Sequence, residues 1–243
     1  MKENNEGFLV AKKAISELRS IKKGEAETFK VASDIDVVWA LSQPGTYLTA
    51  PESGPYKGIN FNKQVIDHSI NLIKQITSLR LEQNGENKIP NNISKSNIIN
   101  YGPILFYNGE DKDLEGFEYT QNEDLKQVVN SNDFSLPKEK VIIDKIDQKN
   151  TPAQVSGFMK FFKDNQNIHK VVIVSSLAHS RRVGRYLEEF RIKNPDLFLS
   201  NIEFIGVWIP ENENKFKITL NEMEKVKRYY QKGDLSEKPL KGF

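Results

Sequence analysis

Short apolar runs alternate along this chain with stretches of helical periodicity, and this alternation constrains the fold more than any other feature. Each run has the length of a buried strand, and the stretches between them space apolar side chains three and four residues apart. Such alternation is typical of a parallel sheet with helices on both faces. The predicted strands are Asp36–Leu41, Ile104–Tyr107, Lys140–Asp144, Val171–Ser175 and Asn201–Trp208. The sequence therefore predicts an α/β fold, a three-layer Rossmann-like sandwich with a mainly parallel sheet of about five strands.

The segments between the strands predict the helices and the domain limits. Thr151 and Pro152 suit the N-cap and the first position of a core-facing helix. The other predicted helices cover residues 8–21, 60–81, 124–129, about 179–193 and 220–230. The polar residues 82–100 are predicted to form a surface connection. We expect a helical extension over residues 1–34, one domain over residues 35–231 and a polar tail over residues 232–243.

Composition narrows the possible functions. The chain has 243 residues, a net charge of +2 and no cysteine. Near-neutral charge argues against a general nucleic-acid-binding or membrane-surface protein, and the lack of cysteine excludes disulfides and thiolate sites. No apolar run is long enough for a signal peptide or a membrane span. We therefore expect a cytoplasmic protein that binds no nucleic acid and does not insert into a membrane.

The stretch Lys170–Glu188 predicts where a site lies. A buried strand runs through Ser175 and Ser176 into a segment that contains His179 and Arg182. If a helix starts near His179, its unpaired N–H groups and positive dipole end face the same space as these side chains. This arrangement predicts an anion-binding or phosphate-binding site at the carboxyl end of a parallel strand.

Helical spacing separates the arginines of this stretch. His179 and Arg182 lie at the edge of the apolar stripe, so both can converge on one ligand, whereas Arg181 and Arg185 are predicted to face solvent. An imidazole can act as a general acid or base near neutral pH, and a guanidinium can bind phosphate. The alternative is a histidine that caps its helix and an arginine in a surface ion pair.

Other strand ends supply the remaining candidate residues, because ligands of open α/β sheets bind at the carboxyl ends of the strands. Thr151 can equally be only a helix cap, and Gly109 only a turn residue. Three scattered histidines do not predict a metal site, and no phosphate-loop or dinucleotide fingerprint is present. The candidate ligand-binding residues are Gly45, Asn108, Gly109, Asn150, Thr151, Ser175 and Ser176, with His179 and Arg182 as the candidate catalytic pair.

Several weak motifs occur in an order that resembles the YdcF/SanA/ElyC-like family, bacterial proteins that share a domain of unknown function. The resemblance covers roughly residues 35–208 and is most specific from Leu136 to Leu187. The matching motifs are Tyr107-Asn108-Gly109, Asn122-Glu123, Leu136-Pro137 with Val141-Ile142, Asn150-Thr151, and Ser176, His179 and Arg182 in a Ser-x-x-His-x-x-Arg stretch. The chain departs from the pattern where Ala153-Gln154 replaces a Glu-Asn pair.

The resemblance implies a Rossmann-like fold and an enzyme. One branch of the family is associated with S-adenosylmethionine, and membrane-anchored branches are associated with cell-envelope polysaccharide and lipid-carrier metabolism. This chain looks closer to the soluble branch, so the resemblance makes S-adenosylmethionine a possible cofactor.

Three functions stay open on the sequence. The leading hypothesis is an enzyme that binds a nucleotide-type or phosphorylated small molecule, with His179 as the acid, base or orienting group and Arg182 as the anion clamp. The second is a non-catalytic metabolite-sensing or protein-interaction module. The third is a phosphohydrolase with a divalent cation held by Glu110, Glu123 or Asp144.

Overall fold

A parallel β-sheet of five strands forms the centre of the protein. The computed structural model describes residues 6–14, 16, 31–53, 56–85, 92–110, 119–144, 151–196, 202–209, 215–240 and 243. The strands are β1 (Val37–Ala40), β2 (Ile104–Tyr107), β3 (Val141–Ile143), β4 (Lys170–Ser176) and β5 (Glu203–Ile209). They pair in the order β3-β2-β1-β4-β5, and every pairing is parallel. The predicted three-layer, Rossmann-like α/β fold is confirmed.

Among the described residues, six helices surround this sheet, and a further helical segment over residues 6–14 precedes it. The helices are α1 (Phe61–Gln83), α2 (Lys95–Tyr101), α3 (Gln121–Asn130), α4 (Thr151–Asp164), α5 (Leu177–Lys193) and α6 (Lys215–Gln231), and a 3₁₀ turn at Lys138–Lys140 leads into β3. Most predicted elements agree with these bounds to within a few residues. The predicted first helix extends past residue 14 into residues that are largely outside the described part of the chain.

Helix α2 was not predicted, because residues 82–100 were interpreted as a surface connection. The helix has a capping box: the Ser94 side chain accepts a hydrogen bond from the Asn97 N–H, and the Asn97 side chain accepts one from the Ser94 N–H. This reciprocal pair satisfies two N–H groups that a helix start otherwise leaves without partners. A serine followed three residues later by a polar acceptor was therefore a usable signal in the sequence.

The side chains of β1 alternate between two hydrophobic cores, one on each face of the sheet. Trp39 packs on one face against Phe158 of α4, with ring centroids 4.3 Å apart and nearly parallel planes. Phe106 meets the same Phe158 ring edge-on at 5.0 Å. Val38 and Ala40 point to the other face, where they pack with residues of α1. This two-sided burial explains why β1 contains only apolar residues.

The residues after α6 pack against α5. The Leu240 N–H donates to the Gly184 carbonyl at 2.9 Å, and Leu235 is buried in the same core as Trp39. Arg185, predicted to face solvent, is completely buried, so that prediction is wrong. The sequence predicted a polar tail at residues 232–243. It did not predict that the described residues of this segment pack against α5.

The order of the strands creates a topological switch point between β1 and β4. Strands β2 and β3 lie on one side of β1, whereas β4 and β5 lie on the other. In open α/β sheets, the carboxyl ends of two neighbouring strands whose connections leave in opposite directions are where a ligand is expected.

In the part of the chain that the structure describes, the helices are all too short or too polar to span a bilayer.

We predict that Phe158→Ala destabilises the protein by about 3–5 kcal/mol, because it removes a buried ring that contacts both Trp39 and Phe106. Urea unfolding followed by circular dichroism measures the change. Lys160→Ala is the matched control, since Lys160 is exposed on the same helix, and it should leave the midpoint nearly unchanged. Equal effects of the two substitutions would contradict this description of the core.

Candidate functional site

Polar side chains from three strand ends meet at the switch point. Gln43 follows β1, Asn108 follows β2, and Ser175 lies at the end of β4. Together with His179 in the first turn of α5, they are all buried. Parallel strands bring their carboxyl ends to one edge of the sheet, which explains how residues more than a hundred positions apart come into contact.

His179 is held by hydrogen bonds on its main chain and on both ring nitrogens. Helix α5 begins at Leu177, two residues before the predicted start, and Ser176 is its N-cap, which accepts a hydrogen bond from the His179 N–H at 3.4 Å. The ring Nδ1 lies 2.9 Å from Gln43 Nε2 and 3.3 Å from Ser175 Oγ. The ring Nε2 lies 3.1 Å from Thr151 Oγ1. The imidazole therefore connects β1, β4 and α4.

Burial, and then the nearby positive charge of Arg182, hold the pKa of His179 well below its ordinary value. The imidazole is consequently neutral at physiological pH. A neutral imidazole donates one hydrogen bond and accepts another, which matches its two sets of neighbours.

A second polar group lies beside the first, on the side of β2. The Asn108 side chain accepts a hydrogen bond from Trp39 Nε1 at 3.0 Å and donates one to the Gln154 carbonyl at 2.7 Å. The Gln154 amide in turn donates to the Asn108 carbonyl at 3.0 Å and to the Ser42 hydroxyl. These contacts tie the ends of β1 and β2 to the first turn of α4.

Arg182 forms a buried ion pair with Glu222 of α6. Its Nε donates to Glu222 Oε2 at 2.6 Å, and Lys225 Nζ lies 3.1 Å from the other carboxylate oxygen. Burial alone would raise the pKa of Glu222, but the two cations lower it to about 2. The carboxylate is therefore ionised, and the three side chains together carry a net charge of +1.

Lys225 is the most accessible member of this charge cluster, with 24% of its side chain exposed, against 9% for Arg182 and 2% for Glu222. Its ammonium group also lies 6.0 Å from the centre of the Tyr56 ring, within range of a weak cation–π contact. Lys225 therefore stands between the buried ion pair and solvent.

The residues predicted to bind a ligand fall into two groups. Thr151, Ser175, Ser176 and His179 come together at the switch point, whereas Arg182 is engaged by Glu222 on the neighbouring helix. Asn150 and the side chain of Arg181 lie outside the described residues.

The two predicted glycines serve turns and packing. Gly45 has a φ of +96°, a conformation that other residues rarely adopt. A Cβ atom on Gly109 would lie 2.5 Å from the Tyr107 ring, so a side chain there would collide with the strand before it.

Sequence reasoning did not single out four further residues of this region: Gln43, Gln154, Glu222 and Lys225. Gln43 was detectable in principle, because it lies in the loop after β1, at the carboxyl edge of the predicted sheet. Gln154 was noted only as a departure from the family pattern. Glu222 and Lys225 occur on an amphipathic helix among many charged residues, and nothing in the local sequence separates a buried glutamate from an exposed one.

The end of the loop between β1 and α1 packs against the first turn of α5. Tyr56, Ile59 and Phe61 pack with Ala178 and Ile218 in a small cluster separate from the two cores.

Helix α3 fixes the first part of this loop. The Asp124 carboxylate accepts hydrogen bonds from the Tyr47 and Leu48 N–H groups, at 2.6 and 3.1 Å. The Gln121 amide donates to the Gln43 and Gly45 carbonyls.

Within the described ranges, the structure contains no group of three or more His, Asp or Glu side chains that could hold a metal ion. Glu123, one of the carboxylates considered for a cation, instead accepts a hydrogen bond from the Thr120 N–H in the capping box of α3.

Comparison of the chain with protein-family models, with curated proteins and with solved structures found no match.

We predict that His179 makes the stability of the protein depend on pH. Because the folded pKa is depressed, the unfolded chain binds a proton that the folded protein does not, and stability falls as the pH drops below the unfolded value of about 6.5. The loss due to His179 is on the order of 1 kcal/mol between about pH 7.5 and about pH 5.5.

Urea unfolding of wild type and His179→Gln at both pH values isolates this contribution, since His68 and other groups titrate in both proteins. We expect the loss of stability in His179→Gln to be smaller by the stated amount. Identical pH dependence in the two proteins would show that His179 has an ordinary pKa.

We predict that Arg182→Met destabilises the protein by about 3–5 kcal/mol, because it leaves the buried Glu222 carboxylate without its main partner. The double substitution Arg182→Met with Glu222→Met should cost clearly less than the single one. Arg191→Met is the matched control, since Arg191 forms an exposed pair with Glu188 on the same helix, and it should have little effect. If the double variant is no more stable than Arg182→Met, Glu222 is not a buried charge.

Proposed function

We propose that this protein binds a phosphorylated or nucleotide-type small molecule in the crevice between the carboxyl ends of β1 and β4. The observation that carries the proposal is the buried polar layer at the switch point, beside a charge cluster with a net charge of +1. Burying so many polar groups is costly unless each is hydrogen-bonded, and apolar side chains would fill the same space at lower cost. A ligand-binding role gives a reason for this layer.

The charge cluster supports an anionic ligand. Arg182 and Lys225 supply two positive charges, and Glu222 neutralises one of them. Since Lys225 remains partly exposed, its ammonium group is the most available to an incoming phosphate or carboxylate. Hydrogen bonds between charged partners are stronger than neutral ones, so this contact would contribute measurably to affinity.

The state of His179 supports a role in orienting the ligand. A neutral imidazole cannot donate a proton as a general acid, and both ring nitrogens already have partners. To act as a general base, the imidazole would first have to lose its hydrogen bond with Gln43 or with Thr151. The same observation favours the second candidate, a metabolite-sensing module without catalytic activity.

The charge also bears on the cofactor that the family resemblance implies. S-adenosylmethionine carries a sulfonium cation, which a site of net positive charge does not favour. We therefore rank phosphorylated ligands above S-adenosylmethionine, although its carboxylate group could still contact Lys225. We further propose that the chain is a divergent YdcF-like protein and that it is located in the cytoplasm.

Calorimetric titration with inorganic phosphate, AMP, glucose 6-phosphate and S-adenosylmethionine tests the proposal. We predict that a phosphate-bearing compound binds the wild type. Lys225→Gln should weaken this binding roughly tenfold or more, because it removes a charge-assisted hydrogen bond. Lys225 is partly exposed, so the variant should fold.

Lys160→Gln is the matched control, because it removes the same charge from an exposed position on α4, and it should bind like the wild type. The proposal fails if none of the four compounds binds, or if both variants bind as the wild type does. Turnover of a bound phosphate ester that is lost in His179→Gln would favour the enzyme over the sensing module.

A further inference from the structure

The side-chain amide of Gln43 has a defined orientation. Its Nε2 lies 3.1 Å from the Ser42 carbonyl oxygen and 3.2 Å from the Leu41 carbonyl oxygen. The opposite orientation would place the amide oxygen against two main-chain oxygens, which have no proton to donate. The atom that faces His179 is therefore the amide nitrogen, a donor.

This orientation determines the tautomer of the imidazole. Gln43 Nε2 lies 2.9 Å from His179 Nδ1, so a proton on Nδ1 would place two N–H groups against each other. A lone pair on Nδ1 avoids this contact, and the single proton of the neutral ring is then on Nε2. From there it points to Thr151 Oγ1, at 3.1 Å.

The main chain of Gln43 is held on both sides. Its N–H donates to Asn62 Oδ1 at 3.1 Å, and its carbonyl accepts a hydrogen bond from Gln121 Nε2 at 2.7 Å. Both partners are buried. Because the backbone is fixed by helices α1 and α3, the side chain is directed into the space between β1 and β4.

We propose that Gln43 is a positioning residue that holds His179 as the neutral tautomer protonated on Nε2. The Nε2–H of the ring then faces the Thr151 hydroxyl, and a ligand that takes the place of this hydroxyl must offer an acceptor, such as a phosphate or carbonyl oxygen. The statement about the ligand rests on the proposed function, whereas the statement about the tautomer does not.

The buried hydroxyl of Ser175 offers an alternative explanation, which a variant can separate. Ser175 Oγ lies 3.3 Å from the same Nδ1 and could also donate to it. It also accepts a hydrogen bond from Gln43 Nε2, at 3.1 Å. If Gln43 determines the tautomer, Ser175→Ala should keep the proton on Nε2, and Gln43→Met should not.

Long-range ¹H–¹⁵N correlation spectra of the ¹⁵N-labelled protein test the proposal, because they distinguish a protonated from an unprotonated ring nitrogen. The chain has three histidines, so His179→Gln identifies the relevant signals. We expect Nε2 protonated and Nδ1 unprotonated in the wild type, in Ser175→Ala and in the control Gln64→Met, at an exposed position of α1. Gln43→Met should give a mixture of both tautomers.

A proton on Nδ1 in the wild type would overturn the proposal, and this result needs no variant. So would a folded Gln43→Met protein with an unchanged tautomer. The titration described above is independent of this result. If none of the four compounds binds but the spectra are as expected, the proposed function fails and the role of Gln43 stands. If a compound does bind, Gln43→Met should weaken its binding several-fold.

Discussion

The pairing of β1 with β4 is the interaction on which the rest of this structure depends. It joins β3, β2 and β1, on one side of the sheet, to β4 and β5 on the other. It also brings Ala40 beside Val174. The hydrogen bond from the Leu41 N–H to the Val174 carbonyl continues this ladder one residue beyond β1. Because β4 ends only two residues beyond the partner of Ala40, Gln43 and His179 can meet although they are 136 residues apart. A slip of one residue in this register would move every side chain of β1 to the wrong core.

The sequence predicted the parallel sheet well, because each strand is a short apolar run with a helix nearby, and because β1 is buried on both faces. It also placed Ser175, Ser176 and His179 at the carboxyl end of a strand, since these residues follow directly on a recognisable apolar run. The partners of these residues were harder to predict. Gln43 and Thr151 come from distant parts of the chain, and their contacts with the imidazole depend on how loops and helix starts are placed in space. Helical periodicity assigned Arg185 to solvent, because it describes one helix at a time and could not include the segment after α6.

The region contains two kinds of buried polar group, neutral and charged, and the fold stabilises them in different ways. At the switch point, neutral groups share hydrogen bonds, so no charge is buried and His179 stays neutral. Between α5 and α6, full charges are buried, and Glu222 is stabilised by Arg182 and Lys225 at the same time. Burial of an ion pair is rarely a net gain in stability compared with apolar packing. Neither arrangement is therefore an evident source of stability, and this supports the proposal of a binding site.

The small cluster formed by Tyr56, Ile59, Phe61, Ala178 and Ile218 is separate from the two cores. Local opening needs only the contacts of the region that opens, whereas global unfolding needs all of them. Opening this cluster alone would therefore cost less free energy than exposing Trp39 in the centre of the sheet. Such an opening would bring solvent to the polar layer while both faces of the sheet stay packed.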